Sequence, residues 1–99
     1  MNVLVFGSTY EIARMHLLSM VDDMKYGDIK TMHQSMNETY VELKNGDTYQ
    51  ALCASENARG YKCDKAYVNK EIDSEIVDRI IKPILIMSQL PINEQIIYY

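Results

Sequence analysis

The stretch Val3-Leu4-Val5-Phe6-Gly7-Ser8-Thr9 decides the fold. Its first four residues form a continuous apolar run with β-branched members, which is typical of a strand buried on both faces of a parallel sheet. Ser8 stands three residues before Glu11, the spacing of a capping box, so we expect a helix to begin here. The opening of the chain therefore predicts a strand, a tight turn and a helix, the first half of a β-α-β unit.

The middle of the chain predicts a hairpin. Residues 39–43 and 48–53 alternate as strands do, and Asn45-Gly46 between them is a strong turn signal. A loop of three residues aligns Val41 with Tyr49 and matches the apolar faces better than a loop of two. We therefore expect the three-residue loop, with Gly46 in the left-handed conformation.

The remaining segments are assigned by pattern. We expect the predicted helix that begins at Ser8 to stop near Gly27 and residues 28–34 to form a short strand, whereas the polar residues 55–62 predict a loop. Apolar residues recur along one helical stripe from 72 to 84, and Pro83 should kink or break that helix because it lacks the amide donor.

These assignments predict one α/β domain spanning residues 1–99, a three-layer sandwich with a mostly parallel central sheet plus a β-hairpin. The strands that begin at Val3, Lys65 and Gln95 should form the parallel core, and the hairpin should extend or flank it. The helices that begin at Ser8 and Asp73 should cover the faces of the sheet.

The composition of the chain argues against several classes of protein. The 99 residues leave room for one core, and the net charge of -4 argues against a protein that coats nucleic acid, although one small basic patch stays open. The apolar segments are shorter than the roughly 18–20 residues of a membrane span, and the first residues lack the pattern of a signal peptide, so we expect no membrane partner. Two cysteines predict neither a disulfide framework nor a zinc site, and a cytoplasmic location is expected.

Ser8 and Thr9 are candidates for an anion site. They follow a predicted strand and open a predicted helix, where free backbone amides and the helix dipole favour negative charge. The alternative is a simple helix cap completed by Glu11, whose carboxylate would itself occupy those donors.

A second candidate site is the one basic neighbourhood of the chain. Arg59, Lys62 and Lys65 lie close together in sequence, and Tyr61 stands among them. Basic side chains can hold phosphates while a tyrosine stacks on a base, so these residues are candidates for binding nucleic acid. The alternatives are an ordinary solvated loop and an internal ion pair between Arg59 and an acid such as Glu56.

Several stretches together resemble the ATPase domain of phage large terminases and related helicase-like enzymes. Residues 4–14 resemble that family's apolar strand, small-residue turn and helix with a central Ala-Arg. Residues 43–47 and 57–61 resemble its Asn-Gly turn and its Arg-Gly loop. Residues 65–71 and 80–85 resemble its Walker B strand and the following helix, which often ends in Pro-x-Leu. The resemblance covers most of the chain in the family's order.

The chain also departs from that family in the residues that perform catalysis. The phosphate loop G-x-x-x-x-G-K-[ST] is missing, and Asn69-Lys70 replaces the Asp-Glu that holds Mg²⁺ and orients the attacking water. The resemblance therefore implies a non-catalytic accessory or binding protein of phage type without a cofactor or metal, acting through a phage or host protein. Nucleic acid at the Arg59–Lys62 loop and a small nucleotide or anion at the Ser8–Thr9 turn are the alternatives, and a homodimer stays open.

Overall fold

A six-stranded sheet is the frame of the fold. A computed structural model describes residues 1–86 and 91–99, with every side chain of these except Tyr26, Ile92 and Asn93. The strands are β1 (Asn2–Gly7), β2 (Ile29–Gln34), β3 (Thr39–Leu43), β4 (Thr48–Cys53), β5 (Lys65–Val68) and β6 (Ile96–Tyr98). Their order across the sheet is β2-β3-β4-β1-β5-β6, so the apolar strand β1 lies inside it as expected.

Two principal helices connect the strands. Helix α1 (Tyr10–Asp22) follows β1, and a second helix, residues 74–84, follows β5. Shorter helical turns are Tyr26–Asp28, Glu56–Gly60 and Ile92–Gln95. Within the described residues, no helix has the length and apolar character needed to cross a membrane.

The sheet is mixed. β1 pairs in parallel with β5, and β5 pairs in parallel with β6, as predicted, although β6 begins at Ile96 and Gln95 ends the preceding helical turn. β1 also pairs in parallel with β4. The hairpin of β3 and β4 extends this core, because β4 lies beside β1. The pairings of β3 with β4 and of β2 with β3 are antiparallel. The chain is therefore an α/β domain with a mixed six-stranded sheet and two principal helices.

The hairpin has the predicted register. Val41 pairs with Tyr49, and Gly46 has a φ of 97°, the left-handed conformation that the three-residue loop needs. The amide of Asp47 donates to Oδ1 of Asn45 at 2.9 Å, which closes the turn from the side chain.

Apolar residues alternate between two cores along β1. Val5 packs against Ala13 and Leu17 of α1, whereas Leu4 and Phe6 belong to a larger cluster with the second helix. The second helix contributes the buried residues Val77, Ile80, Ile81 and Ile84. Because successive side chains of a strand point to opposite faces, the two helices cover opposite faces of β1.

The start of α1 differs from the predicted capping box. Thr9, rather than Ser8, is the N-cap, and its hydroxyl accepts a hydrogen bond from the amide of Ile12 at 3.2 Å. The carboxylate of Glu11 pairs instead with the guanidinium of Arg14. Thr9 takes this role because its backbone is extended while Tyr10 is already helical. The helix ends at Asp22, before the predicted stop at Gly27.

The second helix is irregular before Pro83 and ends one residue after it. The helix begins as an α turn (Ser74–Ile76), widens into a π turn (Val77–Ile81) and ends as an α turn (Lys82–Ile84). The amide of Lys82 donates to the carbonyl of Val77, five residues back. This wider turn comes directly before the proline, whose ring would otherwise press on the preceding turn.

Tyr99 fastens β6 to the centre of the sheet. Its hydroxyl donates to the carbonyl of Phe6 at 2.7 Å, and its amide donates to the carbonyl of Val68 at 3.0 Å. Its ring stacks on His16 of α1, with the ring centroids 3.7 Å apart. Burial raises the pKa of the Tyr99 hydroxyl to about 12, so this group stays a donor at neutral pH.

Candidate functional site

After the neighbouring parallel strands β1 and β4, the chain continues on opposite faces of the sheet. After β1 the chain enters α1, whose buried residues pack on the Val5 face. After β4 it enters the turn Glu56–Gly60, whose Ala58 packs with Leu4 and Phe6 on the other face. In parallel sheets a crevice opens at such a switch point, at the carboxyl ends of the strands, and ligands bind there.

A cavity of about 260 Å³ occupies this crevice. Four segments of the chain line it: the start of α1, the β2–β3 turn, the end of β4 and residues 55–61. The lining residues are Tyr10, Asn37, Ala51, Leu52, Cys53, Ser55, Asn57, Ala58 and Tyr61. None of them is an acidic or basic residue, so the cavity offers hydroxyl, amide and thiol groups beside apolar surface.

One wall of the cavity is fixed by hydrogen bonds. The hydroxyl of Tyr10 lies 2.7 Å from Oγ1 of Thr39 and 3.0 Å from the carbonyl oxygen of Ser35. Thr39 is fully buried in β3, so these contacts join α1 to the hairpin. The Tyr10 ring is therefore held in place before any ligand arrives.

The two cysteines have different environments. The thiol of Cys53 lies at the cavity and donates to the carbonyl of Ser8 at 3.6 Å. Cys63 is fully buried, and burial raises the pKa of its thiol to about 12, which keeps it protonated. Cys63 is thus a packing residue, as expected of a small apolar side chain. In the part of the chain that the structure describes, no group of three His, Cys, Asp or Glu residues is placed to hold a metal ion.

The candidate anion-binding residues Ser8 and Thr9 face different surroundings from those expected. The hydroxyl of Thr9 already occupies the amide of Ile12. Ser8 lines a second cavity, of about 230 Å³, together with Glu71 and Asp73. Carboxylates beside this turn weaken its attraction for an anion.

Three of the candidate nucleic-acid-binding residues, Arg59, Tyr61 and Lys62, lie together in the segment after β4. Part of the predicted loop is the 3-10 turn Glu56–Gly60, in which Nε of Arg59 lies 2.7 Å from Oε2 of Glu56. Nη2 of Arg79 lies 3.5 Å from the other oxygen of the same carboxylate. The ion pair that the sequence left open is therefore present. Tyr61 lines the cavity, and Lys62 is exposed beside it.

The structure does not bring the fourth candidate, Lys65, to this segment. Its Nζ lies 5.3 Å from the ring centre of Tyr67, two residues further along the same face of β5. Tyr67 packs in the α1 cluster, whereas Ala58 of the 3-10 turn packs in the cluster of the second helix. Lys65 and the Glu56–Gly60 turn therefore lie on opposite faces of the sheet.

Sequence reasoning missed Tyr10, Asn37 and Asn57 as residues of one site. Each lies at a helix start or in a turn, where tyrosine and asparagine are unremarkable in sequence. Their convergence depends on the strand order, which places β4 directly beside β1. The asparagines in the β2–β3 turn and in the first turn after β4 are the sequence signal that could have indicated this site.

Comparisons of the chain with protein-family models, with curated proteins and with solved structures find no match.

Proposed function

We propose that the chain is a non-catalytic binding protein whose ligand site is the cavity between the carboxyl ends of β1 and β4. The observation that carries this proposal is the uncharged polar lining of a cavity at a switch point of the sheet. Amide and hydroxyl groups orient a ligand by hydrogen bonds.

The turn after β5 supports a role without ATP hydrolysis. Asn69 and Lys70 stand where the resembled ATPases carry Asp and Glu. Oδ1 of Asn69 accepts from the amide of Glu71 at 3.1 Å, and the amide of Lys70 donates to the carbonyl of Tyr99 at 2.7 Å. These residues tie β5 to its neighbours, and neither supplies the carboxylate that Mg²⁺ or an attacking water needs.

The resemblance supplies the remainder of the proposal. We propose an accessory role of phage type, exerted in the cytoplasm through a phage or host protein. We further propose that α1 and the second helix are the outer layers of a three-layer sandwich around the sheet, since they cover opposite faces of β1.

The ligand site is tested by amide NMR of the labelled protein against a library of small polar fragments. Fragments that bind should shift the amides of Asn37, Cys53 and Asn57 more than those of the second helix. Asn57→Trp should fill the cavity and abolish these shifts, whereas Ser19→Trp, on the exposed side of α1, should leave them unchanged. An equal response of both variants, or a library without a single binder, contradicts the proposed site.

The absence of catalysis is tested by ATP turnover with and without Mg²⁺, compared with heat-denatured protein. Turnover above that control contradicts the proposal. For the accessory role, we expect the folded protein to retain one phage or host protein at high salt. Retention on DNA or RNA that falls steeply with salt would instead favour nucleic acid as the partner.

A further inference from the structure

We propose that the cavity binds a planar, uncharged ring that carries hydrogen-bond donors and acceptors side by side, which is the chemistry of a nucleobase. This inference rests on the proposed ligand site and names the class of its ligand. It follows from four properties of the cavity: its size, its amides, its aromatic rings and its charge.

The size of the cavity fits one ring system. Sites for drug-sized ligands span roughly 300–1,000 Å³. The cavity, at about 260 Å³, lies just below that range. A single planar heterocycle fits inside such a space.

Two asparagines line the cavity. Asn37 reaches it from the β2–β3 turn and Asn57 from the Glu56–Gly60 turn, and both residues are exposed to the solvent there. Each amide carries a donor and an acceptor, the combination that pairs with the edge of a base.

Two tyrosine rings line the same cavity. The ring of Tyr10 is fixed through its hydroxyl by Thr39, and Tyr61 is 37% exposed, so its ring can adjust to a ligand. A planar ring gains from contact with an aromatic face whatever its hydrogen-bond pattern.

The charge around the cavity favours an uncharged ring over a phosphate. Arg59, the nearest candidate for phosphate binding, is held by Glu56, and Arg79 contacts the same carboxylate. The exposed Lys62 lies outside the cavity, where it could meet the backbone of a nucleic-acid strand. The base can therefore come from a free nucleoside or from a single strand, and the two sources differ in their use of Lys62.

Titration by amide NMR with uracil, adenine, uridine and a short oligouridylate tests the inference. We expect at least one of these probes to shift the Asn37 and Asn57 amides. Tyr61→Ala should weaken that binding roughly 5- to 150-fold, since base stacking on one ring contributes about 1–3 kcal/mol. Tyr61→Phe, which retains the ring, should bind like the wild type. Tyr98→Ala, which removes an exposed tyrosine from β6, is the matched control.

The outcomes separate this inference from the site itself. If other fragments enter the cavity and all four probes fail, the nucleobase class is wrong and the ligand site stands. If nothing enters, both are wrong. Should Tyr61→Ala lose the dispersed spectrum of a folded protein, Asn57→Ala replaces it, with the same expected loss of binding.

The source of the base follows from the same titrations. Tighter binding of the oligouridylate than of uridine, lost in Lys62→Ala and at high salt, supports a single strand as the source. Equal binding of the two, unchanged in Lys62→Ala, supports a free nucleoside. Binding that responds equally to Tyr61→Ala and Tyr98→Ala overturns the inference.

Discussion

The strands β1 and β2 have the same length and opposite environments. Both contain six residues, but β1 is buried from Val3 to Gly7, whereas β2 is exposed from Lys30 to Gln34. β1 has a strand on either side and a helix over each face, whereas β2 pairs with β3 alone among the described strands. A continuous apolar run goes to the centre of the sheet, and a strand with scattered polar residues goes to its edge.

The position of α1 explains which strands of the sheet are covered. α1 packs on β1 and β4, and a hydrogen bond between the side chains of Tyr10 and Thr39 joins its first residue to β3. Met32 of β2 pairs with Val41, which is fully buried, yet Met32 itself is 41% exposed. The covered part of the sheet therefore ends between β3 and β2, and substitutions on the two sides of that boundary should differ in cost.

The largest expected effect is that of Phe6→Ala in β1. Phe6 is fully buried beside the second helix, so its truncation should lower the free energy of unfolding by roughly 3–5 kcal/mol. Met32→Ala in β2 should change it by no more than about 0.5 kcal/mol. Urea denaturation of both variants measures the difference. Similar losses in the two strands would mean that β2 is covered in solution.

The next effect concerns the turn that follows β1. A methyl group at Gly7 would lie 2.5 Å from the backbone nitrogen of Ala13 and from the carbonyl oxygen of Thr9. Gly7→Ala should therefore cost about 1–3 kcal/mol, because backbone atoms must move. A methyl group at Gly27, in the connection to β2, meets no described atom within 4 Å. Gly27→Ala should stay within about 0.5 kcal/mol, and thermal unfolding of the pair checks the contrast. Equal shifts in Tm would contradict the close approach of Gly7 to α1.

A smaller effect is expected for Arg59→Ala, in the 3-10 turn beside the second helix. Arg59 pairs with Glu56 in an exposed position, and Arg79 remains near the same carboxylate after the substitution. The loss of stability should be below about 1 kcal/mol. Comparison with Arg79→Ala, by chemical denaturation at low and high salt, tests the shared ion pair. A larger loss that persists at high salt would show that Arg59 packs rather than pairs.

The smallest effect is the pH dependence that His16 contributes. Burial lowers the pKa of His16 below its ordinary value of 6.5, because the α1 side of the sheet desolvates the ring against Tyr99. The unfolded chain therefore takes up the proton first as the pH falls through 6.5, and stability declines until the folded state is also protonated. His16→Gln should flatten this decline. Urea midpoints one unit above and one unit below 6.5 measure it, and an unchanged slope would contradict the burial of the ring.

Local patterns predicted much of the fold. The apolar run of β1, the Asn45-Gly46 turn and the stripe of the second helix each depend on neighbours in sequence, and each element formed as expected. The capping residue was wrong by one position because Ser8 and Thr9 both suit a helix start, and only the backbone conformation distinguishes them. Pro83 was expected to kink or break the helix, and the helix widens into a π turn before Pro83 and ends at Ile84, one residue after it.

The candidate site was less predictable than the fold. The basic residues around Tyr61 in sequence predict that it binds nucleic acid. The structure places Tyr61 at the cavity because it follows β4. Lys65 was close in sequence but lies on the other face, because it shares a strand face with Tyr67, which packs in the α1 cluster. Asn37 joined the site through the β2–β3 turn, which only the strand order brings near β4.

The hydrogen bond from Tyr99 to Phe6 has a kinetic consequence. It joins positions 93 residues apart, and the pairings of β1 with β4 and β5 are also remote in sequence. Such a topology has a high contact order, so the chain must close long loops before its most apolar strand gains a neighbour. We expect folding to take milliseconds to seconds. During synthesis, β1 emerges before β4 and β5 and stays uncovered until they follow, which exposes it to aggregation and to chaperones.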